Sequence, residues 1–365
     1  ETQLKTTLAV TYFKHEGTMT SYDWNLNSAP FLDLNRSNTN LIFTTAITRK
    51  FSAKFTNKTG ITYTKMYYDM DMNLAPHQMH PMELISQGKG NTDLISGYTS
   101  SSIGISEQVT LNVGVNAQVL TLNNSWTLEP RAGIKWQFSP KSSFALAYGL
   151  HSRMEKMDVY FVKTQGTGDR SVNKDLGFTR AHHVMLSYGF KVSDNMNMKI
   201  EPYFQQLYDV PVISDSSYSV LNRRDFYVEN ALVNRGKGRN IGVDITLERY
   251  LNKGLYYMVT ASIFDSKYYG GDRKWRNTLY NRNFIVNVLG GKEWMVGRDR
   301  QNMFSVNFKI TLQGGDRYAP VDEVATLLDP DREVQYDETK AFSKQFSPMF
   351  ITNFSVGYKI NRKKV

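Results

Sequence analysis

The segment Val109-Thr-Leu-Asn-Val-Gly-Val-Asn-Ala-Gln-Val119 alternates strictly between apolar and polar side chains. Successive side chains of a β-strand point to opposite faces, so this segment predicts a strand with one apolar and one polar face. The same alternation returns at 128–138, 184–192, 241–248, 304–313 and 353–360, and no comparably long stretch has a helical period. The repetition predicts an all-β, antiparallel fold.

About fourteen strands follow from this pattern. We predict them at 4–14, 39–51, 54–69, 92–105, 108–122, 126–138, 142–153, 178–192, 195–208, 239–251, 254–268, 283–297, 301–314 and 348–360. Long connections are predicted at 15–38, 70–91, 154–177, 209–238, 269–282 and 315–347, and short turns lie between them. Loops that are long on one side and short on the other are typical of bacterial outer-membrane barrels.

The composition fits strands that face lipid on one side and water on the other. Of the 365 residues 13% are aromatic, with 22 Tyr and 20 Phe, yet the mean hydropathy is −0.45. The sequence has no cysteine, which excludes disulfides and thiolate metal sites. Its formal net charge of +10 is scattered over strands and loops and forms no compact basic patch, so we expect no nucleic-acid partner.

No apolar run reaches the roughly 18 residues that a spanning helix needs. A membrane protein without such helices has to form a barrel, because every backbone amide in hydrocarbon needs a partner. We therefore predict an antiparallel transmembrane β-barrel in a bacterial outer membrane, with extracellular long loops and periplasmic short turns. Outward aromatic residues near the short turns would form an interfacial girdle: Phe51, Trp136, Phe138, Phe144, Phe190, Tyr257 and Tyr358. A soluble β-sandwich or propeller is the alternative.

Several strand-level segments also resemble one known family. They are Leu128-Glu-Pro-Arg-Ala-Gly-Ile-Lys-Trp-Gln-Phe-Ser-Pro-Lys141 with Ala147-Tyr-Gly-Leu-His151, Arg180-Ala-His-His183, Ile200-Glu-Pro-Tyr-Phe204, Asn240-Ile-Gly-Val-Asp244, Tyr280-Asn-Arg-Asn-Phe284 and Gly290-Gly-Lys-Glu-Trp294. Together they resemble the barrel of TonB-dependent receptors of Bacteroidetes, in particular the subgroup that carries a carboxypeptidase-regulatory-like domain before the plug. The resemblance implies uptake of a scarce solute through a plugged barrel of twenty-two strands, energised by the TonB complex.

No segment of this chain reads as a plug. We therefore expect residues 1–365 to form a partial outer-membrane β-barrel domain, without the plug, several early strands and about two final ones. A lipoprotein capping the long loops is a compatible partner, although no residue points to one. The first alternative is a self-contained, passive barrel of fourteen strands, which serves as a porin or a channel for hydrophobic compounds. The second is an outer-membrane hydrolase, for which His151 is a candidate; we expect no enzyme, cofactor or metal site.

Charged residues on the polar faces of the strands are predicted to line the lumen, where charge costs less than on the lipid face. They are Glu129, Arg131, Lys135, Lys199, Glu201, Asp244, Glu248, Lys309 and Lys359. In a receptor they would contact the plug, and otherwise they form a solvated wall or cross-strand ion pairs. Pro130 and Pro202 each follow a glutamate inside a regular strand, which we interpret as a pair of β-bulges.

Two predicted loops are rich in cations and aromatic residues. Their candidate ligand-binding residues are Arg223, Arg224, Arg273, Trp275, Arg276, Tyr280 and Arg282, with Arg235, Lys237, Arg239 and Lys274 close by. Arginine binds carboxylate or phosphate in bidentate fashion and aromatic rings stack on planar ligands, so these loops could form a cationic mouth for an anionic solute. The alternative is that they face water or the phosphates of lipopolysaccharide.

Overall fold

The computed structural model describes residues 1–164, 170–224, 227–330 and 333–361. Its long strands are β1 (Thr2–Tyr22), β2 (Ser28–Ser52), β3 (Phe55–Leu74), β4 (Glu83–Gly104), β5 (Val109–Leu120), β6 (Ser125–Ser139), β7 (Ser142–Arg153), β8 (Thr179–Ser193), β9 (Met196–Val212), β10 (Val233–Asn252), β11 (Leu255–Tyr269), β13 (Phe284–Val296), β14 (Asn302–Gln313) and β17 (Met349–Lys359). Each pairs antiparallel with the next in chain order, which makes one continuous sheet.

The remaining elements are short. Strand β12 (Trp275–Asn277) pairs with β11, while β15 (Arg317–Tyr318) and β16 (Lys344–Gln345) form a separate ribbon. The helices are α1 (Met157–Tyr160) and α2 (Glu323–Leu328), with single 3-10 turns at Val220–Asn222 and Glu338–Lys340. Within the part of the chain that the structure describes, no helix is long and apolar enough to cross a membrane.

The fourteen predicted strands are confirmed, but the first two long loops were predicted too long. Strands β1 and β2 continue to a connection at 23–27, and β3 and β4 continue to one at 75–82. In these hairpins the apolar residues change from the outer to the inner face, as Met70, Met72 and Leu74 of β3 do, so a continuous apolar outer row stops before the strands end. The antiparallel hydrogen-bond ladder does not depend on which face is apolar and continues to the ends of the hairpins.

The ladder register assigns every long strand an inner and an outer face. The outer face carries the apolar rows, which are solvent-accessible in the isolated chain: Phe43 is 39% exposed, Ile61 53% and Ile263 63%. Aromatic residues on this face contact one another near the short turns, where the Trp136 and Phe138 rings lie 5.3 Å apart. Since no second sheet covers these rows in the described ranges, the sandwich alternative is wrong and the outer face is left for lipid.

The buried apolar core lies at the long-loop end of the barrel wall. There, the segment that contains α1 packs against inner-face residues of β3 and β5, including Met66, Met70 and Leu120. The wall itself is open in the described ranges, because β1 pairs only with β2 and β17 only with β14. The passive fourteen-stranded alternative requires β1 to pair with β17, and this pairing does not occur among the described residues.

Pro130 does not form the predicted bulge. The register between β5 and β6 runs unbroken through the pair Val115 and Pro130. The pairing between β6 and β7 ends instead at Arg131, the residue that follows the proline, since proline has no N–H for the ladder. Pro202 likewise sits in unbroken register opposite Val243 of β10.

Candidate functional site

Glu129 is the most buried of the predicted inner-wall charges, with 1% of its surface exposed. Where the ladder of β6 and β7 stops at Pro130, the backbone N–H of Ser152 donates to Glu129 Oε1 at 3.1 Å, and the Ser152 hydroxyl donates to the same oxygen. The side-chain amides of Asn116 and Gln118 donate to the carboxylate at 3.1 and 2.6 Å. Glu129 thus joins β5, β6 and β7 on the inner face.

An arginine completes this network. Arg131, two residues along the same face, places its guanidinium 2.7 Å from Glu129 Oε2, while its side chain remains 48% exposed. A buried carboxylate is tolerated when it is paired and fully hydrogen-bonded. The inner wall therefore exposes the Arg131 guanidinium to the lumen, and the buried Glu129 carboxylate holds it in place.

The other predicted inner charges also lie on the inner face. Lys199 contacts Glu201 at 2.7 Å, and Ser262 donates to Asp244 at 2.5 Å. Glu201 and Asp244 are direct partners in the ladder and line a wall cavity of about 550 Å³ with Tyr203 and other polar residues. The ladder register places the rest on the same face: Lys135, Glu248, Lys309 and Lys359.

A folded layer of loops covers the long-loop end of this wall. Phe161 stacks on Tyr68 of β3 with ring centroids 4.5 Å apart, and a Cβ at Gly88 of β4 would lie 2.5 Å from the Phe161 ring. Tyr160 of α1 is fully buried and accepts a hydrogen bond from the Glu155 N–H at 3.1 Å. Its burial raises the pKa of the Tyr160 hydroxyl to about 12.

Asp158 of α1 ties the loop layer together. Its Oδ2 accepts from Arg36 of β2 at 3.1 Å and from Arg223, in the loop between β9 and β10, at 2.6 Å. All three side chains are 12–14% exposed, so the pair interactions are weakly screened. Three segments far apart in sequence are therefore held at one carboxylate.

The predicted cationic mouth is only partly assembled. Arg223 is engaged by Asp158, Arg276 forms a bidentate pair with Asp272 at 2.5 and 2.9 Å, and Arg282 contacts Asp316 at 2.6 Å. The Tyr280 hydroxyl donates to the Arg223 carbonyl at 3.4 Å, which brings these two predicted residues together. The exposed members are Arg224, Arg273, Trp275 and Tyr280.

The Asp272–Arg276 pair fixes the hairpin between β11 and β12. Hydrogen bonding from Arg276, only 7% exposed, holds the pKa of the Asp272 carboxyl below its ordinary 3.8, and Asp272 raises the pKa of Arg276. Arg276 is thereby a structural cation of the hairpin. No sequence pattern predicted this pair, because an i, i+4 ion pair is expected in a helix and this segment is a hairpin.

Sequence reasoning also missed Asp158 and Arg36. Asp158 stands in a segment without alternation, and Arg36 fell in a predicted loop that is in fact part of β2. No local pattern links residues 36, 158 and 223, so only the barrel topology brings them together.

Two pairs of histidines lie close together in the described ranges. His151 and His183 face each other on the inner wall with ring centroids 4.7 Å apart, and His77 and His80 lie 5.5 Å apart in a loop. Among the described residues no group of three or more His, Asp or Glu side chains is arranged to hold a metal ion. No serine hydroxyl of the described ranges hydrogen-bonds to His151; Ser152 donates to Glu129 instead.

Comparison with known proteins gives a match in fold only. No protein-family model matches the sequence, and a search of curated proteins finds no relative. The outer membrane transporter YddB from Escherichia coli aligns over 97% of this chain and 54% of its own, with 12% identity and a TM-score of 0.64. The pyoverdine outer membrane receptor FpvA from Pseudomonas aeruginosa PAO1 aligns over 99% and 53%, with 10% identity and a TM-score of 0.68.

A third structure, the ferric yersiniabactin uptake receptor FyuA from Yersinia pestis, aligns over 97% of this chain and 51% of its own, with 8% identity and a TM-score of 0.64. The chain thus spans about half the length of each of these three structures, and the three alignments cover 97–99% of the chain. The chain therefore has the fold of the transmembrane barrel of outer-membrane receptors and transporters.

Proposed function

We propose that this chain is the barrel wall of an outer-membrane receptor that takes up a scarce solute by active transport. The observation that carries the proposal is the combination of a polar inner wall with a folded loop layer over its long-loop end. A diffusion pore needs an open mouth, whereas a receptor needs loops that bind solute and close. The Asp158 contacts give these loops a defined arrangement.

In this proposal the inner-wall charges contact a plug domain, and the TonB complex supplies the energy. A wall of twenty-two strands would supply the neighbours that β1 and β17 lack among the described residues. The finer assignment to the Bacteroidetes subgroup with a carboxypeptidase-regulatory-like domain rests on the sequence resemblance alone. A capping lipoprotein would contact the loop layer. The matched structures include receptors named for ferric siderophores and a copper transporter, which makes metal complexes the first solutes to test.

Transport tests this proposal. A deletion strain, complemented with the full-length gene, is grown on limiting iron, haem, cobalamin or oligosaccharide, and uptake of the labelled solute that restores growth is measured with and without TonB. We expect saturable uptake that is lost without TonB. Equal uptake in both backgrounds would refute active transport and favour the passive pore.

A cross-linking experiment separates a larger barrel from a closed barrel of fourteen strands. Residues 1–365 contain no cysteine, so one pair at a time can be introduced there: Ala9→Cys with each of Ile351→Cys, Asn353→Cys and Ser355→Cys. We expect no disulfide in the full-length protein, because other strands separate β1 from β17. Ala9→Cys with Ile42→Cys, direct partners in the ladder, is the positive control. Efficient cross-linking between β1 and β17 would establish the closed alternative.

A further inference from the structure

A cluster of cations lies on the outer face of β10, at its long-loop end. Ile241, 50% exposed, belongs to the apolar outer row, and the strand alternation places Arg239 and Lys237 on the same face. Lys237 is the ladder partner of Tyr269 in β11, which is in turn the partner of Trp275 in β12. Trp275 and its neighbours therefore face away from the lumen.

The register also relates this cluster to an aromatic row on the same face. Arg239 lies opposite Gln206 of β9, which lies opposite His182 of β8. On this outer row His182 stacks between Tyr148 and Tyr208, with ring centroids 6.1 and 5.2 Å apart. Aromatic rings of this kind mark the boundary between hydrocarbon and headgroups. Arg239 lies about 7 Å beyond Ile241, at the level of the lipid headgroups.

Among the described residues no acidic partner lies in ion-pair distance of Arg235, Lys237, Arg239 or Arg273, and all four are exposed. Lys267, the partner of Arg239 across the ladder, is instead paired with Asp265 at 3.4 Å. Excess positive charge at the headgroup level attracts anionic lipid.

The geometry of the cluster suits a phosphate group on a lipid. Arg235, Lys237 and Arg273 line a cavity of about 310 Å³, whose one acidic lining residue is Asp215. Beside it the Arg239 guanidinium lies 5.5 Å from the centre of the Trp275 ring, and Lys237 Nζ lies 5.6 Å from that of Tyr269. Flat rings under the cations offer a surface for acyl chains or sugars next to a site for phosphate.

We propose that Arg235, Lys237, Arg239 and Arg273, with Trp275 and Tyr269, form a binding site for the phosphorylated glycolipid of the outer leaflet. The lipid would dock against the outside of the barrel wall with its phosphates in the cation cluster. The site is separate from the lumen, so solute transport can fail or succeed independently of it.

Binding of diphosphorylated lipid A to the purified full-length protein, in neutral detergent, tests the proposal by native mass spectrometry. The variant Lys237→Gln/Arg239→Gln is expected to weaken binding by about tenfold to thirtyfold. The matched control Arg49→Gln/Arg249→Gln removes two outward arginines at the short-turn end, where Arg49 also covers an aromatic ring, and leaves binding unchanged. Heat-modifiable migration of both variants verifies their folding.

Two further probes identify the ligand. Dephosphorylated lipid A is expected to bind the wild-type protein as weakly as the cluster variant binds the phosphorylated form, and millimolar inorganic phosphate is expected not to displace lipid A. Unchanged binding in a folded cluster variant would overturn the proposal, as would an equal loss in the control. Complete displacement by inorganic phosphate would replace the lipid site with a simple anion site.

Discussion

Glu129 lies next to Pro130, and its side chain supplies a hydrogen bond to β7 where the backbone ladder has ended. The ladder between β6 and β7 ends next to Pro130, so the Ser152 N–H of β7 donates to the Glu129 carboxylate, which also binds Asn116, Gln118 and Arg131. Glu129→Ala would leave buried donors without partners, and we expect it to lower the free energy of unfolding by roughly 2–5 kcal/mol. Urea titration of the refolded full-length protein measures this change.

Lys135→Gln is the matched control for Glu129→Ala. Lys135 lies on the same strand and the same inner face but is exposed, and we expect a change within about 0.5 kcal/mol. If both variants unfold at the same urea concentration as the wild type, the hydrogen bonds of Glu129 do not contribute to the free energy of unfolding. The position of Glu129 on the inner face was predictable from alternation, whereas its burial follows from contacts with β5 and β7.

Asp272 gives the hairpin after β11 a dependence on acid. Since the folded pKa of this carboxyl is below its ordinary 3.8, its pairing with Arg276 stabilises the hairpin above that value and is lost as pH falls through the folded pKa. A spin label on Lys274→Cys should therefore become more mobile as pH falls through the folded pKa of Asp272, which lies below 3.8. With Asp272→Asn added, the label should be mobile at neutral pH as well. Equal mobility of both proteins at neutral pH would contradict this role.

At the scale of the elements, the loop layer is held to the wall through one carboxylate, that of Asp158. Asp158→Asn removes the charge that Arg36 and Arg223 share and leaves the two guanidinium groups close together. We expect the loop layer to open more often, so that trypsin cleaves after Lys156 or Lys163 at least about tenfold faster. Glu16→Gln, which breaks the exposed Lys14–Glu16 pair, should not alter cleavage. Wild-type cleavage rates in Asp158→Asn would show that the core of α1 suffices.

The strands were predictable to the extent that one face meets lipid. Strand β5, for example, was predicted within two residues at each end, because its alternation continues to its ends. The distal parts of β1 and β2 were missed, because their outer face is mostly polar there and the apolar residues Leu32 and Leu34 of β2 lie buried on the inner face. The inner and outer faces were predictable residue by residue for the same reason, whereas the Asp158 contacts join residues over a hundred positions apart and have no local pattern.

At the scale of the whole molecule, charged residues on the inner face and on the outer face of the wall differ in their partners. Inner charges such as Arg131 and Lys199 are anchored by acidic neighbours on the same strand. Outer cations such as Lys237 and Arg239 are concentrated at the headgroup level and have no acidic partner in the described ranges. The net charge of +10, which the sequence alone left unassigned, is thus partly explained by this outer cluster.

The central claim is that the apolar rows face hydrocarbon while the intervening residues face a water-filled interior. Single cysteines at successive positions of β10, from Ile241 to Glu248, can be introduced and spin-labelled in the full-length protein in liposomes, since residues 1–365 contain no cysteine of their own. We predict that accessibility to oxygen peaks at Ile241, Val243, Ile245 and Leu247. Accessibility to a polar nickel chelate should peak at the positions between them. Two accessibilities that rise and fall together, without a period of two, would contradict the account.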